Sequence, residues 1–204
     1  MRNSTVKRAI RNLTIVAVVL LLASCGVFFV PKQGRWNVED PDNELETFTP
    51  SVDGYTYISD GWHDGAELLR VHSDTKLILI RFNAASFPDT IATSYLKLTV
   101  ASGPGAGGTD LEIYRVIGDW DPPIDFTTAA NQTTEMFFDD AAKAVVTIPS
   151  EVGGGDEILI PLDNVFSGGK DQLKYGIIIF SFPDLMEFES MELGAGPVLL
   201  VEPG

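Results

Sequence analysis

Between Ser51 and Gly204 apolar residues arrive in short bursts of two textures. Tyr95-Leu96-Lys97-Leu98-Thr99-Val100 and Leu111-Glu112-Ile113-Tyr114-Arg115-Val116 alternate apolar and polar after their first residue. A period of two puts one face of a strand on a core and the other in water. Leu77-Ile78-Leu79-Ile80 and Ile177-Ile178-Ile179-Phe180 are unbroken apolar runs. Their β-branched content and short length predict central strands covered on both faces rather than a buried helix. The predicted strands are Tyr55–Ser59, Glu67–Val71, Leu77–Phe82, Tyr95–Ala101, Leu111–Ile117, Ala144–Ile148, Glu157–Leu162, Tyr175–Phe182 and Val198–Val201.

The breaks between bursts carry turn chemistry. Gly103-Pro104-Gly105-Ala106-Gly107-Gly108 separates the two alternating strands, and Gly153-Gly154-Gly155-Asp156 precedes Glu157. Pro88-Asp89 follows the Leu77 strand, and Asp121-Pro122-Pro123 follows the Leu111 strand. These residues set positive φ or a fixed φ where the chain reverses. Helical periodicity is almost absent; Leu162 to Ser167 suits one short turn, with Asp163 as its cap and Gly168-Gly169 as its end. Many short strands at this spacing predict an all-β fold, an antiparallel β-sandwich of jelly-roll type, over residues 51–204.

The N-terminus has a different pattern. Arg2, Lys7, Arg8 and Arg11 precede an uncharged apolar stretch from Leu13 to Ala23, which closes on Leu22-Ala23-Ser24-Cys25. That order marks an export signal with a helix-forming centre, shorter than the ~20 apolar residues of a spanning helix. The four residues ending at Cys25 resemble a bacterial lipobox, which implies cleavage after Ser24 and lipidation of Cys25. Two other readings remain beside it: an ordinary cysteine near a cleavage site, or an uncleaved anchor extended by Gly26-Val27-Phe28-Phe29-Val30. Residues 1–24 are then a signal peptide and residues 25–50 a lipidated, flexible tether, rich in proline and acid from Pro31 to Pro50, with Trp36 and Phe48 able to dock on the domain. Cys25 is the only cysteine, so no disulfide can staple the domain.

Removing residues 1–24 leaves 180 residues, enough for one domain, and shifts the formal charge from −15 to −19. A surface so negative repels nucleic acid and anionic glycans, leaving neutral ligands, cations and basic partners. The membrane is engaged through the lipid, whose several acyl chains exceed the two-signal threshold for stable anchoring. Gly26 is not the aspartate that retains many lipoproteins at an inner membrane, so an outer membrane is favoured in a host with two.

Candidate chemistry is sparse. His63 and His72 are nine residues apart, without the i, i+4 spacing of a helical metal pair. No Gly-x-Ser-x-Gly elbow and no phosphate-cradling glycine motif occurs. Adjacent carboxylates such as Asp139-Asp140 are expected by chance among 29 acidic residues. The chain therefore reads as a non-enzyme. Glycan binding needs an outward aromatic ring with polar neighbours. Asp60-Gly61-Trp62-His63-Asp64-Gly65 reads as a polar loop able to present Trp62, with His63 and Tyr57 as companion ligand-binding residues. The alternative is that Trp62 folds back over the rim of the sandwich, as loop tryptophans often do. Asp60 and Asp64, or Asp119, Asp121 and Asp125, supply hard oxygen ligands. No cofactor is required, and a structural calcium ion is the one these acids would suit.

The landmarks, taken in order, resemble the DNRLRE domain, a jelly-roll module related to archaeal disaggregatase repeats and to some carbohydrate-binding modules. The likeness rests on Asp53-Gly54-Tyr55, Leu68-Leu69-Arg70-Val71, Leu79-Ile80-Arg81-Phe82 and Phe87-Pro88. It continues through Tyr95-Leu96-Lys97-Leu98, Ile113-Tyr114-Arg115-Val116 with Asp119-Trp120, Lys174-Tyr175-Gly176-Ile177 and Gly196-Pro197-Val198-Leu199, spanning about residues 52–202. The DNRLRE-like string itself is replaced by Ser73-Asp74-Thr75-Lys76-Leu77, and the Trp-Asn-Asn-x-Pro element is missing. The resemblance implies a non-catalytic binding or surface module and gives Trp120 a structural place in the core. The expected function is an envelope lipoprotein binding a neutral carbohydrate. A scaffold or adhesion role with another envelope protein stands as the alternative.

Overall fold

The computed structural model describes residues 45–57, 61–120, 138–166 and 169–204, together with the backbone of Phe28 and Phe29. The signal segment and Cys25 lie outside the described residues. Among the described residues, eleven strands form a curled antiparallel sheet that packs on itself as a β-sandwich. They are β1 (Phe28–Phe29), β2 (Glu46–Phe48), β3 (Pro50–Tyr57), β4 (Gly61–His63), β5 (Leu68–Phe82) and β6 (Ile91–Ser102). The remainder are β7 (Thr109–Val116), β8 (Phe138–Ile148), β9 (Glu157–Pro161), β10 (Ile177–Glu189) and β11 (Val198–Pro203).

One layer, the β6 layer, runs β1-β9-β6-β11-β2, and the other, the β10 layer, runs β8-β7-β10-β5-β3-β4. They join where Phe188 and Glu187 of β10 pair with Val100 and Ser102 of β6. The alternating pattern of β6 is realised directly: Leu96, Leu98 and Val100 are buried, while Tyr95, Lys97 and Thr99 face outward and are part-exposed. Leu96, Leu98, Ile158 and Leu199 of the β6 layer share the inter-layer core with Ile78, Ile80, Leu111, Ile177 and Ile179 of the β10 layer. At about 25 cal/mol per Å² of apolar surface removed from water, this contact is the main stabilising element in a domain without disulfides.

The two unbroken apolar runs are central strands covered on both faces. Ile78 and Ile80 point into the inter-layer core, whereas Leu77 and Leu79 point outward into a second buried cluster with Ile178, Tyr114, Val116, Phe138 and Trp120. The reason is topological: β5 and β10 lie side by side in the middle of the β10 layer.

The pairing of β5 with β10 breaks midway. Three extra residues on β5 are followed by three extra on β10, so the register after the break equals the register before it. Ser73, at φ 46°, occupies the left-handed region at this break.

Three local outcomes differ from the sequence pattern. The fold reaches further toward the N-terminus than Ser51. Glu46–Phe48 forms β2 on β11, and the Phe48 ring meets Phe87 edge-on at 4.4 Å. The stretch around Trp62 is a short strand rather than a loop. Asp163 does not cap its own turn; its carboxylate accepts the Ser94 N–H of β6 at 3.0 Å.

Candidate functional site

The outward face of the β10 layer carries a row of aromatic side chains, from Trp62 and Trp120 to Tyr114, Phe180 and Phe182, and it changes character from one end to the other. At the β4 end, Trp62 lies across β3. A Cβ on Gly54 would come within 2.5 Å of the indole, so glycine there is what lets the ring lie flat on the strand. The Trp62 ring meets Trp120 at 5.7 Å between centroids, tilted by 59°. Trp120 is 4% exposed, and its Nε1–H donates to the Tyr175 carbonyl at 2.7 Å. The Arg81 guanidinium sits 4.9 Å over the Trp120 ring and also donates to the Trp120 carbonyl at 2.5 Å. Trp120 thus closes the outer cluster rather than the inter-layer core. Trp62 is half-buried beside it, and its Nε1–H is buried without a hydrogen-bond partner.

Of the companions expected beside Trp62, His63 lies on the other face of the strand. Neighbouring residues of a strand point to opposite faces, so His63 turns inward where Trp62 turns outward. His63 stacks on Tyr55 at 4.7 Å and 12°. Arg70 covers the Tyr55 ring at 5.9 Å and bonds Glu187 at 2.9 Å. Tyr57 pairs through its backbone with Gly61 and Lys76. Asp64 is exposed just after β4, while Asp60 lies outside the described residues, as do Asp121 and Asp125. Among the described residues no three His, Cys, Asp or Glu side chains gather as a metal site.

At the β10–β7–β8 end the same face is open. Phe180 and Phe182 alternate on β10 and lie nearly parallel, 6.5 Å apart at 10°, with Phe182 41% exposed. Phe180 also touches Tyr114 at 5.5 Å and Phe138 at 5.4 Å. The pairing register sets carboxylates beside these rings, Glu112 opposite Phe180 and Asp110 opposite Phe182. Glu112 accepts the Tyr114 hydroxyl and has Lys143 at 4.0 Å; Asp110 accepts the Thr147 hydroxyl at 2.6 Å. Burial, followed by the Glu112 carboxylate, holds the Tyr114 phenol well above its ordinary value, so it stays a neutral donor. Aromatic rings flanked by fixed hydrogen-bonding groups make an amphipathic platform, which suits a ligand with an apolar face and polar edges.

Sequence reasoning missed this platform. Its signal was present in the alternation Phe180-Ser181-Phe182 set against Asp110 and Glu112, but strand pairing was needed to align them.

An open groove of about 460 Å³ crosses the outward face of the β6 layer, between Lys97, Thr99 and the Met191–Val198 segment. Its two charged lining residues, Lys97 and Glu157, bond each other at 3.2 Å. Beside the groove, Asp53 is a carboxylate only 3% exposed. Its Oδ2 accepts the Met191 N–H at 3.0 Å, and Oδ1 is buried without a partner. Burial, and to a lesser degree the Glu192 charge, lifts its pKa to about 6, against the lowering effect of the Met191 bond.

No protein-family model matches the chain, and no curated protein matches it either.

Proposed function

We propose that this protein is an exported lipoprotein of the cell envelope, anchored through Cys25, whose β-sandwich is a non-catalytic binding module for a neutral carbohydrate. The observation that carries the reading is the parallel Phe180–Phe182 pair, with Phe182 open to solvent and Phe180 half-buried, and with Glu112, Asp110 and the Tyr114 hydroxyl fixed around it. A pyranose stacks its C–H face on such rings and presents its hydroxyls to carboxylate acceptors. The formal charge of −15, with two carboxylates on the platform itself, disfavours anionic sugars. The DNRLRE resemblance agrees with a binding role and is proposed here on its motifs alone.

A glycan-array screen with the purified protein tests the reading. Neutral-glycan binding that is lost in Phe182→Ala and kept in Trp62→Phe supports it. Absence of binding, or binding indifferent to Phe182, overturns the glycan assignment.

The second reading, docking of another envelope protein, is favoured by Val145, Phe182 and Leu185, each between 39% and 50% exposed. Exposed apolar side chains that form a contiguous patch mark interaction sites. Crosslinking in intact cells that recovers a Phe182-dependent protein adduct, with no glycan bound, would select it.

A further inference from the structure

The pairing of β1 determines how far the domain stands from its anchor. Phe28 and Phe29 add to β9 opposite Leu159 and Ile158, as the end strand of the β6 layer among the described residues. Cys25 precedes Phe28 by three residues. Three fully extended residues reach at most about 11 Å. The headgroup zone of a bilayer is itself about 5–7 Å deep on each side of the hydrocarbon. A lipid on Cys25 therefore leaves almost no free chain between the membrane and the edge of the sheet.

We infer that the β1–β9 edge of the sandwich lies directly on the lipid headgroups, so the domain is held against the membrane. This rests on the proposed lipidation of Cys25 and deepens it by naming the surface that meets the bilayer. Residues 30–44 then come after the first point of attachment and cannot serve as a stalk. They join β1 at one edge of the layer to β2 at the other, four strand spacings or about 19 Å away.

The distribution of charge along the chain agrees. The residues that follow β1 include Lys32, Arg35 and Trp36, side chains that favour a headgroup interface. Acid begins only later, with Glu39, Asp40, Asp42, Glu44 and Glu46, on the way to the far edge. Asp64 follows β4 on that far side, because β3 starts two residues after β2 ends and β4 pairs beyond β3.

The full-length lipoprotein, reconstituted in phosphatidylcholine vesicles, provides the test. Acylation consumes the only native thiol, so a single introduced cysteine takes a fluorophore: Glu157→Cys at the β9 edge or Asp64→Cys at the opposite side. A lipid with a spin-labelled headgroup is the quencher. The expected result is several-fold stronger quenching at position 157 than at position 64. Inserting about ten Gly/Ser residues between Gly26 and Val27 should erase that contrast, because a flexible lead lets the domain reorient. Equal quenching at the two positions before the insertion overturns the inference, and so does a contrast that the insertion leaves unchanged. The mass of the N-terminal peptide separates the two failures. An unacylated Cys25 removes the lipoprotein reading as well, whereas an acylated Cys25 with equal quenching removes only the docking of this edge.

Discussion

The two faces of the β10 layer use the same strands for opposite purposes. Inward, Ile78, Ile80, Ile177 and Ile179 are aliphatic and fully buried, and the one buried acid among the described residues, Asp53, accepts a backbone N–H. Outward, the layer is aromatic, and the carboxylates beside its open rings have side-chain partners: Glu112 with Tyr114 and Lys143, Asp110 with Thr147. The outward face is itself divided. Its Trp120 end is closed, with the indole N–H bonded, while its Phe182 end is open. The difference teaches that an aromatic residue on a sandwich is informative only once its polar atom and its exposure are known. Trp120 is structural on both counts, whereas Phe182 has no polar side-chain atom and is open to solvent.

The largest expected effect comes from the closed end. Trp120→Ala removes a buried indole, its hydrogen bond to Tyr175 and the Arg81 stacking. Substitutions of this kind cost about 3–5 kcal/mol. Urea unfolding should show the midpoint falling with little change in slope. A loss below about 1 kcal/mol would mean that Trp120 does not close the cluster, and the division of the outward face would fail.

The inward face is tested through Asp53. Its folded pKa of about 6 lies above the ordinary value of 3.8, so the folded state takes up this proton before the unfolded state does. The stabilising contribution is fully present below about pH 4, declines as pH rises, and is lost above about pH 6. The span is on the order of 2–3 kcal/mol. Asp53→Asn keeps an acceptor for the Met191 N–H and removes the charge. It should flatten unfolding free energy between pH 4 and 6 and stabilise the protein at pH 7 by about 1–2 kcal/mol. Asp139 and Asp89, held below their usual range chiefly by hydrogen bonds from Arg115 and Lys170, act with the opposite sign at lower pH. The Asn variant isolates Asp53 from them.

These expectations show what was legible in the sequence. The alternation of β6 and the apolar runs of β5 and β10 were sufficient for the sandwich, because burial on one or two faces imposes those patterns directly. Glu46–Phe48 was hidden because three residues among acids and prolines carry no period, and their pairing with β11 is a long-range event. The open platform was hidden for a related reason. Glu112 and Phe180 are far apart in the chain and meet only through the register of β7 against β10. Trp62 was visible as a feature, but its surroundings depend on Gly54 and Trp120, neither of which is its sequence neighbour.

A smaller effect distinguishes the two tryptophans. Trp62→Phe deletes an N–H that has no partner, while Trp120→Phe deletes one that satisfies the Tyr175 carbonyl. Leaving a buried group unpaired costs about 1–3 kcal/mol, and removing an already unpaired donor recovers part of that cost. Trp62→Phe should therefore change stability by no more than about 1 kcal/mol, and Trp120→Phe should cost at least about 1 kcal/mol more. Equal losses in parallel denaturant titrations would place both indoles in the same environment.

The smallest effect on stability belongs to Phe182, and there the comparison of the two ends becomes a statement about function. A ring 41% exposed, stacked on one neighbour, contributes limited burial, so Phe182→Ala should shift stability by about 1 kcal/mol or less. Its effect on a ligand is expected to run the other way. If the platform binds a saccharide, loss of this ring removes half of the stacking pair and leaves Glu112 and Asp110 in place. Titration calorimetry with the best neutral glycan should then show binding lost at unchanged fold. A glycan that bound Phe182→Ala as tightly as the parent would leave the open end of the face without a role. A large drop in stability would instead show that it was never open, and that both ends of the outward face are structural.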